Sequence, residues 1–358
     1  MKITKKVEGD AFFSAPLHAF RGLAILFIVA VHSWAVPIFI NSNGKKEASI
    51  KWVNTLNEVL FHDSTLFFTL ISGVMFSIVL QNRGWSRFYK SKLINVLSPY
   101  LVATLAYSAF VWGFDSVKFI QMGVVEYLQL SIENALLGKG LFHLWYLPIL
   151  AMLFLLTPIL VFIKNHGTLN WLFWLIIISP IFISRTWPDF SWMTVVYFMG
   201  AYSLGMYVGA NYEKTKTFIN RYFGCLAIVT LATTVALVVL LRFENTTLGW
   251  VSVSESIFYV QKICMAALIL RLFERSMSSV PRWLNLLANY AFAIYFIHGV
   301  FLYVSIVVLR SMGGVNFNAK QIILAGLVNL VLITIVSILI AAGLKRITGG
   351  KSKWVIGA

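Results

Sequence analysis

Charge is scarce in this sequence, and acid is scarcest. Only 12% of the 358 residues are charged, about half the share of an average soluble domain. With 59% hydrophobic residues and a mean hydropathy of +0.82, the chain reads as an integral membrane protein rather than a water-soluble one. Two cysteines, Cys225 and Cys264, both lie inside apolar runs, which excludes a disulfide framework and metal-ligand spacing. There is no Gly-rich phosphate loop, zinc signature or nucleophile elbow. There is no low-complexity segment and no clear internal repeat. The polar start contains Glu8 and Asp10, and the apolar run after it exceeds a normal signal-peptide core. The formal charge of +16 forms no stripe or arm, so nucleic acid is not an expected partner.

What is there is apolar runs of membrane-crossing length. Ten are expected, at 17–40, 58–81, 93–114, 143–163, 169–185, 193–210, 222–242, 255–273, 285–309 and 321–345. Pro180 and Pro188 interrupt the fifth and sixth. With the N-terminus inside, inner loops carry eighteen Lys and Arg and outer loops nine, which places both termini in the cytoplasm. The expected fold is therefore all-α: a polytopic bundle of about ten transmembrane helices. It divides into a cytoplasmic segment at 1–15, a membrane domain at 16–345 and a basic cytoplasmic tail at 346–358. The longest outer loop, 115–142, is too short for an independent domain, so any chemistry takes place inside the bundle or at its mouths.

The first run carries two ionisable residues, Arg21 and His32. Their separation is close to three helical turns, so they share a face about 16 Å apart along the axis. Ionisable groups at that depth usually face a bundle interior or a wetted cavity. An imidazole can take a proton from an alcohol near neutral pH, and a guanidinium matches phosphate geometry. Taken singly, Arg21 could reach inner-leaflet headgroups and His32 could be a packing histidine. His18 lies one turn before Arg21 on a similar face.

Further groups follow along the chain. Phe61-His62-Asp63-Ser64 opens the second span; adjacent residues do not share a helical face, so His62 and Asp63 read as polar interface residues. In Phe67-Phe68-Thr-Leu-Ile-Ser72-Gly73, the Ser and Gly permit close helix packing. The basic stretch Arg83 to Lys92, containing Arg87 and Lys90, is either a positive-inside loop or a docking surface for phosphates. His143-Leu-Trp145-Tyr146 falls at the outer boundary, where aromatics fit an interfacial belt and equally a sugar-stacking acceptor site. Lys262 is too deep to be a loop charge and could line a cavity or pair with Glu255. Tyr295 and His298 share a helical face near mid-bilayer, as a packing hydrogen bond or as cavity lining. His166 sits in a short inner loop with no expected role.

Arg21 and His32 in the first helix, the Phe-Phe-x-x-x-Ser-Gly run, the His143-Leu-Trp start and the late Tyr295-x-x-His298 helix, taken in order, resemble the acyltransferase family 3 membrane proteins. The resemblance runs from about Pro16 to the last span. It implies a membrane O-acyltransferase, with an acyl group, acetyl above all, passing from cytoplasmic acyl-coenzyme A to a hydroxyl of a cell-surface or exported glycan. It implies His32 as general base or transient acyl carrier, with Arg21 and the basic loop (Arg87, Lys90, Lys92) holding the donor. Trp145, His143, Tyr295, His298 and Lys262 would line the acceptor site or the cavity. Acyl-coenzyme A would be a co-substrate, with no permanently bound cofactor and no metal, and the location a bacterial inner membrane. Before Pro99-Tyr100 the family carries Arg-x-x-Arg, where this chain has Lys92 and Asn95. Lys keeps the charge without the bidentate fork, and Asn loses the charge. The alternative is a transporter or exporter of a glycan or anionic metabolite along the same polar axis. Inverted repeats would mark one, and none is evident in the sequence.

Overall fold

In hydrocarbon a segment must satisfy its own backbone hydrogen bonds, so apolar runs of this length become helices. The computed structural model describes residues 3–41, 47–113, 122–185, 190–243, 247–249, 251–277, 279–311 and 315–357. In chain order the helices are α1 (Ile3–Ile40), α2 (Ala48–Phe61), α3 (Thr65–Met75), α4 (Trp85–Lys92), α5 (Ser98–Gly113), α6 (Val124–Leu137), α7 (Tyr146–Asn165), α8 (Asn170–Ile178), α9 (Trp192–Ala210), α10 (Tyr212–Arg221), α11 (Phe223–Phe243), α12 (Val253–Ser276), α13 (Arg282–Asn289), α14 (Ala291–Ser311), α15 (Ala319–Thr348) and α16 (Ser352–Ile356). A two-rung hairpin, β1 (Thr247–Leu248) and β2 (Val251–Ser252), leads into α12. Among the described residues eight helical segments are long and apolar enough to cross a membrane. The protein is an all-α, multi-pass membrane protein.

The remaining two expected spans are shorter helices. Pro180 closes the α8 segment at Ile181, and its twelve residues rise about 18 Å. The expected span at 93–114 is a π-helical turn, Leu93–Leu97, followed by α5. Pro188, Lys45, Lys46, Lys118 and positions 114–121 of the outer loop lie outside the described residues.

The central strut is α1, which packs against α2, α3 and α12 to α15. Polar contacts fix it in register. Asn57 Nδ2 donates to the Val31 carbonyl at 3.0 Å, Trp34 Nε1 to Ile323 at 3.2 Å and Asn329 Nδ2 to Ser33 at 3.3 Å. Beside it, α3 and α9 approach so closely that a Cβ at Gly73 would lie 2.1 Å from the Tyr202 carbonyl, and one at Gly205 2.2 Å from that of Leu70. Small residues where helices touch are the usual device in membranes, and the Ser-Gly pair of the second span supplies one here.

The second expected span is built in two pieces. α2 stops at Phe61, and Asp63 takes the left-handed conformation at φ 57° before α3 resumes. The last carbonyls of α2 are held by Lys262, whose buried ammonium donates to Leu60 at 2.8 Å and Val59 at 3.4 Å. A cation on a helix C-terminus is favourable. At the far end, positions 346–357 do not hang free: α15 runs to Thr348 and α16 folds back, with Ser98 Oγ donating to the Trp354 carbonyl at 2.7 Å. Ile356 is buried against Ala293, Ile297 and Ala341.

Candidate active site

The break between α2 and α3 opens a cavity of about 330 Å³ inside the bundle. His32 of α1 lines it, with Glu58 of α2 and His62 and Asp63 from the break. The lining also includes His143 and Trp145 from the turn before α7, Tyr295 of α14, and Arg185 from the segment after α8. Five parts of the chain, far apart in sequence, thus meet at one place.

One wall is a cluster of imidazoles. The His32 and His298 rings stack at 5.8 Å, and His298 meets His143 edge-on at 4.6 Å. His298 Nδ1 lies 3.0 Å from the Ile294 carbonyl, which assigns the proton to Nδ1 and leaves Nε2 an acceptor. The Tyr295 hydroxyl donates to the His143 carbonyl and so fixes the turn. The His143 ring lies flat against α14 because residue 299 is glycine: a Cβ there would fall 2.1 Å from ring atoms Cε1 and Nδ1.

The other wall is a charged cluster centred on Arg185. Its Nη2 is 2.8 Å from Asp63 Oδ1 and 2.5 Å from His62 Nε2, and its Nε is 2.7 Å from Glu255 Oε2. Tyr197 donates to Asp63 Oδ2 at 2.8 Å. His62 Nδ1 in turn lies 2.9 Å from Glu58 Oε2. The His62, Asp63 and Glu255 donor atoms come within 4.8 Å of one another, close enough to share a cation, and the cation they share is the Arg185 guanidinium. Its face lies 5.5 Å over the Trp145 ring. The side chain of Arg185 is 2% exposed, so its two carboxylate partners are what make its burial tolerable.

A cavity that sets imidazoles against fixed charges suits proton transfer from a hydroxyl. The family comparison supplies the reaction. The Acyl_transf_3 model, described as Acyltransferase domain, matches residues 16–346, nearly the whole chain. The protein belongs to acyltransferase family 3. No curated protein and no solved structure matches it. Membership makes the protein an acyltransferase.

The other residues singled out in this acyltransferase fall in three places. Arg21 is half-buried, with Nη2 3.3 Å from His18 Nδ1; His18 Nε2 continues to Asn285 Oδ1 at 2.9 Å. The described cavity reaches along α1 as far as Ile28 and does not include Arg21, so about two turns of α1 lie between Arg21 and the cavity's edge. Arg87 and Lys90 are exposed on α4. Lys92 turns inward, its Nζ 4.2 Å over the Phe154 ring, and burial pulls its ammonium down to about 8. Asn95 donates to the Ser91 carbonyl at 2.7 Å, an intrahelical bond of local use only. His298 stands behind His32 and His143 rather than on the cavity surface, and Lys262 is turned from it toward the end of α2.

Glu58, Asp63, Arg185 and Glu255 were not among the expected site residues. The argument that set His62 and Asp63 aside assumed a continuous helix. The left-handed Asp63 removes that assumption and turns both side chains into one cluster. The signal was present as two adjacent ionisable residues followed by Ser64, a side chain that can close a helix end: Ser64 Oγ donates to the Phe61 carbonyl at 2.7 Å.

Proposed function

We propose that this acyltransferase moves an acetyl group from acetyl-coenzyme A, bound on the cytoplasmic side of a bacterial inner membrane, to a hydroxyl of a cell-surface or exported glycan. The observation that carries the reading is the placement of His32 on a cavity of ligand size inside a family member. In this reading His32 is the general base. It takes the proton as the acceptor O–H bond breaks; the oxygen bonds to the acyl carbon, the carbon–sulfur bond breaks, and His32 returns the proton to the departing thiolate.

Arg21, Lys92, Arg87 and Lys90 would hold the donor's phosphates, and its pantetheine arm would span the rise from Arg21 to the cavity. Trp145 and Tyr295 would take the face of a sugar ring, with His143 and His298 shaping the pocket around it. The bundle's apolar exterior would rest in the bilayer, where α11 is almost wholly outward-facing.

The test is transfer of label from radiolabelled acetyl-coenzyme A to glycan in membranes that contain the protein. The expected result is labelled glycan with the wild type and none with His32→Ala or Arg21→Ala, each still inserted in the membrane. Full transfer by both variants would refute the assignment.

A further inference from the structure

Glu58 takes no part in the reaction as drawn, yet its position is tightly specified. The Asn57–Val31 hydrogen bond pins α2 to α1 one residue before Glu58 and one residue before His32. Phe61 of α2 adds a stack on Trp34 at 5.8 Å and an edge contact with Phe27 at 5.3 Å. Glu58 and His32 each follow that bond by one residue on adjoining helices, and both line the cavity.

Its carboxylate is also oriented. A guanidinium can only donate, so Arg185 at 2.5 Å makes His62 Nε2 an acceptor. A neutral imidazole then carries its proton on Nδ1, which faces Glu58 Oε2 at 2.9 Å. The sequence of donors is Arg185 to His62 to Glu58, and it ends on the Glu58 carboxylate at the cavity wall. The rest of the cluster is internally paired: Arg185 is engaged by Asp63 and Glu255, and Lys262 by carbonyls. The elements packed around His32 otherwise bring it His143, His298 and Tyr295, none of which is an anion when it serves as packing for an imidazole.

We infer that Glu58, oriented by His62, is the counter-charge of His32. Its carboxylate offsets the positive charge that His32 carries while it holds the acceptor's proton, the part a buried acid plays beside a general-base histidine in acyl transfer. Glu58 itself neither gains nor loses a proton: the proton leaves the acceptor oxygen for His32 and ends on the thiolate sulfur. It is a positioning residue that acts through His32. The inference rests on the general-base reading given above.

The test compares kcat and KM for radiolabelled acetyl-coenzyme A in membranes carrying wild type, Glu58→Gln, Glu58→Asp and His32→Ala, with Tm of each protein in detergent. Glu58→Gln keeps shape and removes charge. The expected result is a kcat lower by roughly 100-fold or more, a KM within about twofold, an unchanged Tm, and partial recovery in Glu58→Asp. Wild-type kcat in Glu58→Gln overturns the inference. So does a loss that follows a lowered Tm and is not recovered by Asp, since Glu58 would then be structural. His32→Ala separates the two failures: full activity in that variant removes the general-base reading, whereas its loss beside an active Glu58→Gln removes only the counter-charge.

Discussion

Gly299→Ala probes the imidazole wall with a single methyl group. The added Cβ would lie 2.1 Å from two His143 ring atoms and 3.0 Å from Leu141 Cδ2, where ordinary contact begins at 3.4 Å. The ring must retreat by about 1.3 Å to restore that contact. It cannot retreat without leaving His298, 4.6 Å away, or straining the backbone that Tyr295 holds through the His143 carbonyl. Overfilling a packed site of this kind costs about 1–3 kcal/mol of stability, which most folded proteins survive. Misplacing a group in a reacting site by about 1 Å costs about 100-fold in rate, or about 2.7 kcal/mol of barrier. The rate is therefore expected to fall much further than the stability. The assay pairs the initial rate of label transfer with Tm in detergent and with insertion into membranes. A Gly299→Ala protein that folds and transfers at the wild-type rate would refute the claim that the placement of His143 matters.

Removing the central cation should be costly in a different way. Arg185→Met leaves Asp63 and Glu255 buried without a partner and is expected to lower stability by about 3–5 kcal/mol; Arg185→Met with Asp63→Asn should recover part of that loss, seen as a partial return of Tm. Lys92 gives a pH signature. Burial lowers its ammonium to about 8, so it is charged below that pH and neutral above it. If it contacts donor phosphate, KM for acetyl-coenzyme A should climb as pH passes about 8 and stay flat in Lys92→Arg, whose guanidinium keeps its charge. A KM independent of pH in the wild type would remove Lys92 from the donor site.

The helices of this protein are legible because hydrophobicity is a local property: each run announces itself within about twenty residues. That Arg21 and His32 lie on one helix follows from the length of the first apolar run, and the close approach at Gly73 follows from the size of one residue. What could not be read is what depends on meeting. Arg185 looks like any outer-loop charge until the fold carries it to Asp63 and His62, more than a hundred residues upstream. Asp63 takes a conformation that glycine normally signals, and it does so because Arg185 and Tyr197 hold its carboxylate. Lys262 could be recognised as deep but not assigned, since its partners are backbone carbonyls, which carry no mark in a sequence.

The returning C-terminal helix has a practical bearing on any handling of this enzyme. Ile356 is lodged beside Ala293 and Ile297, on the same rod that presents Tyr295 and His298. Trimming residues 352–358, or attaching a bulky affinity handle there, would take a wedge out from behind the imidazole wall. Material prepared in that way would report an enzyme already loosened, whatever its other end was doing.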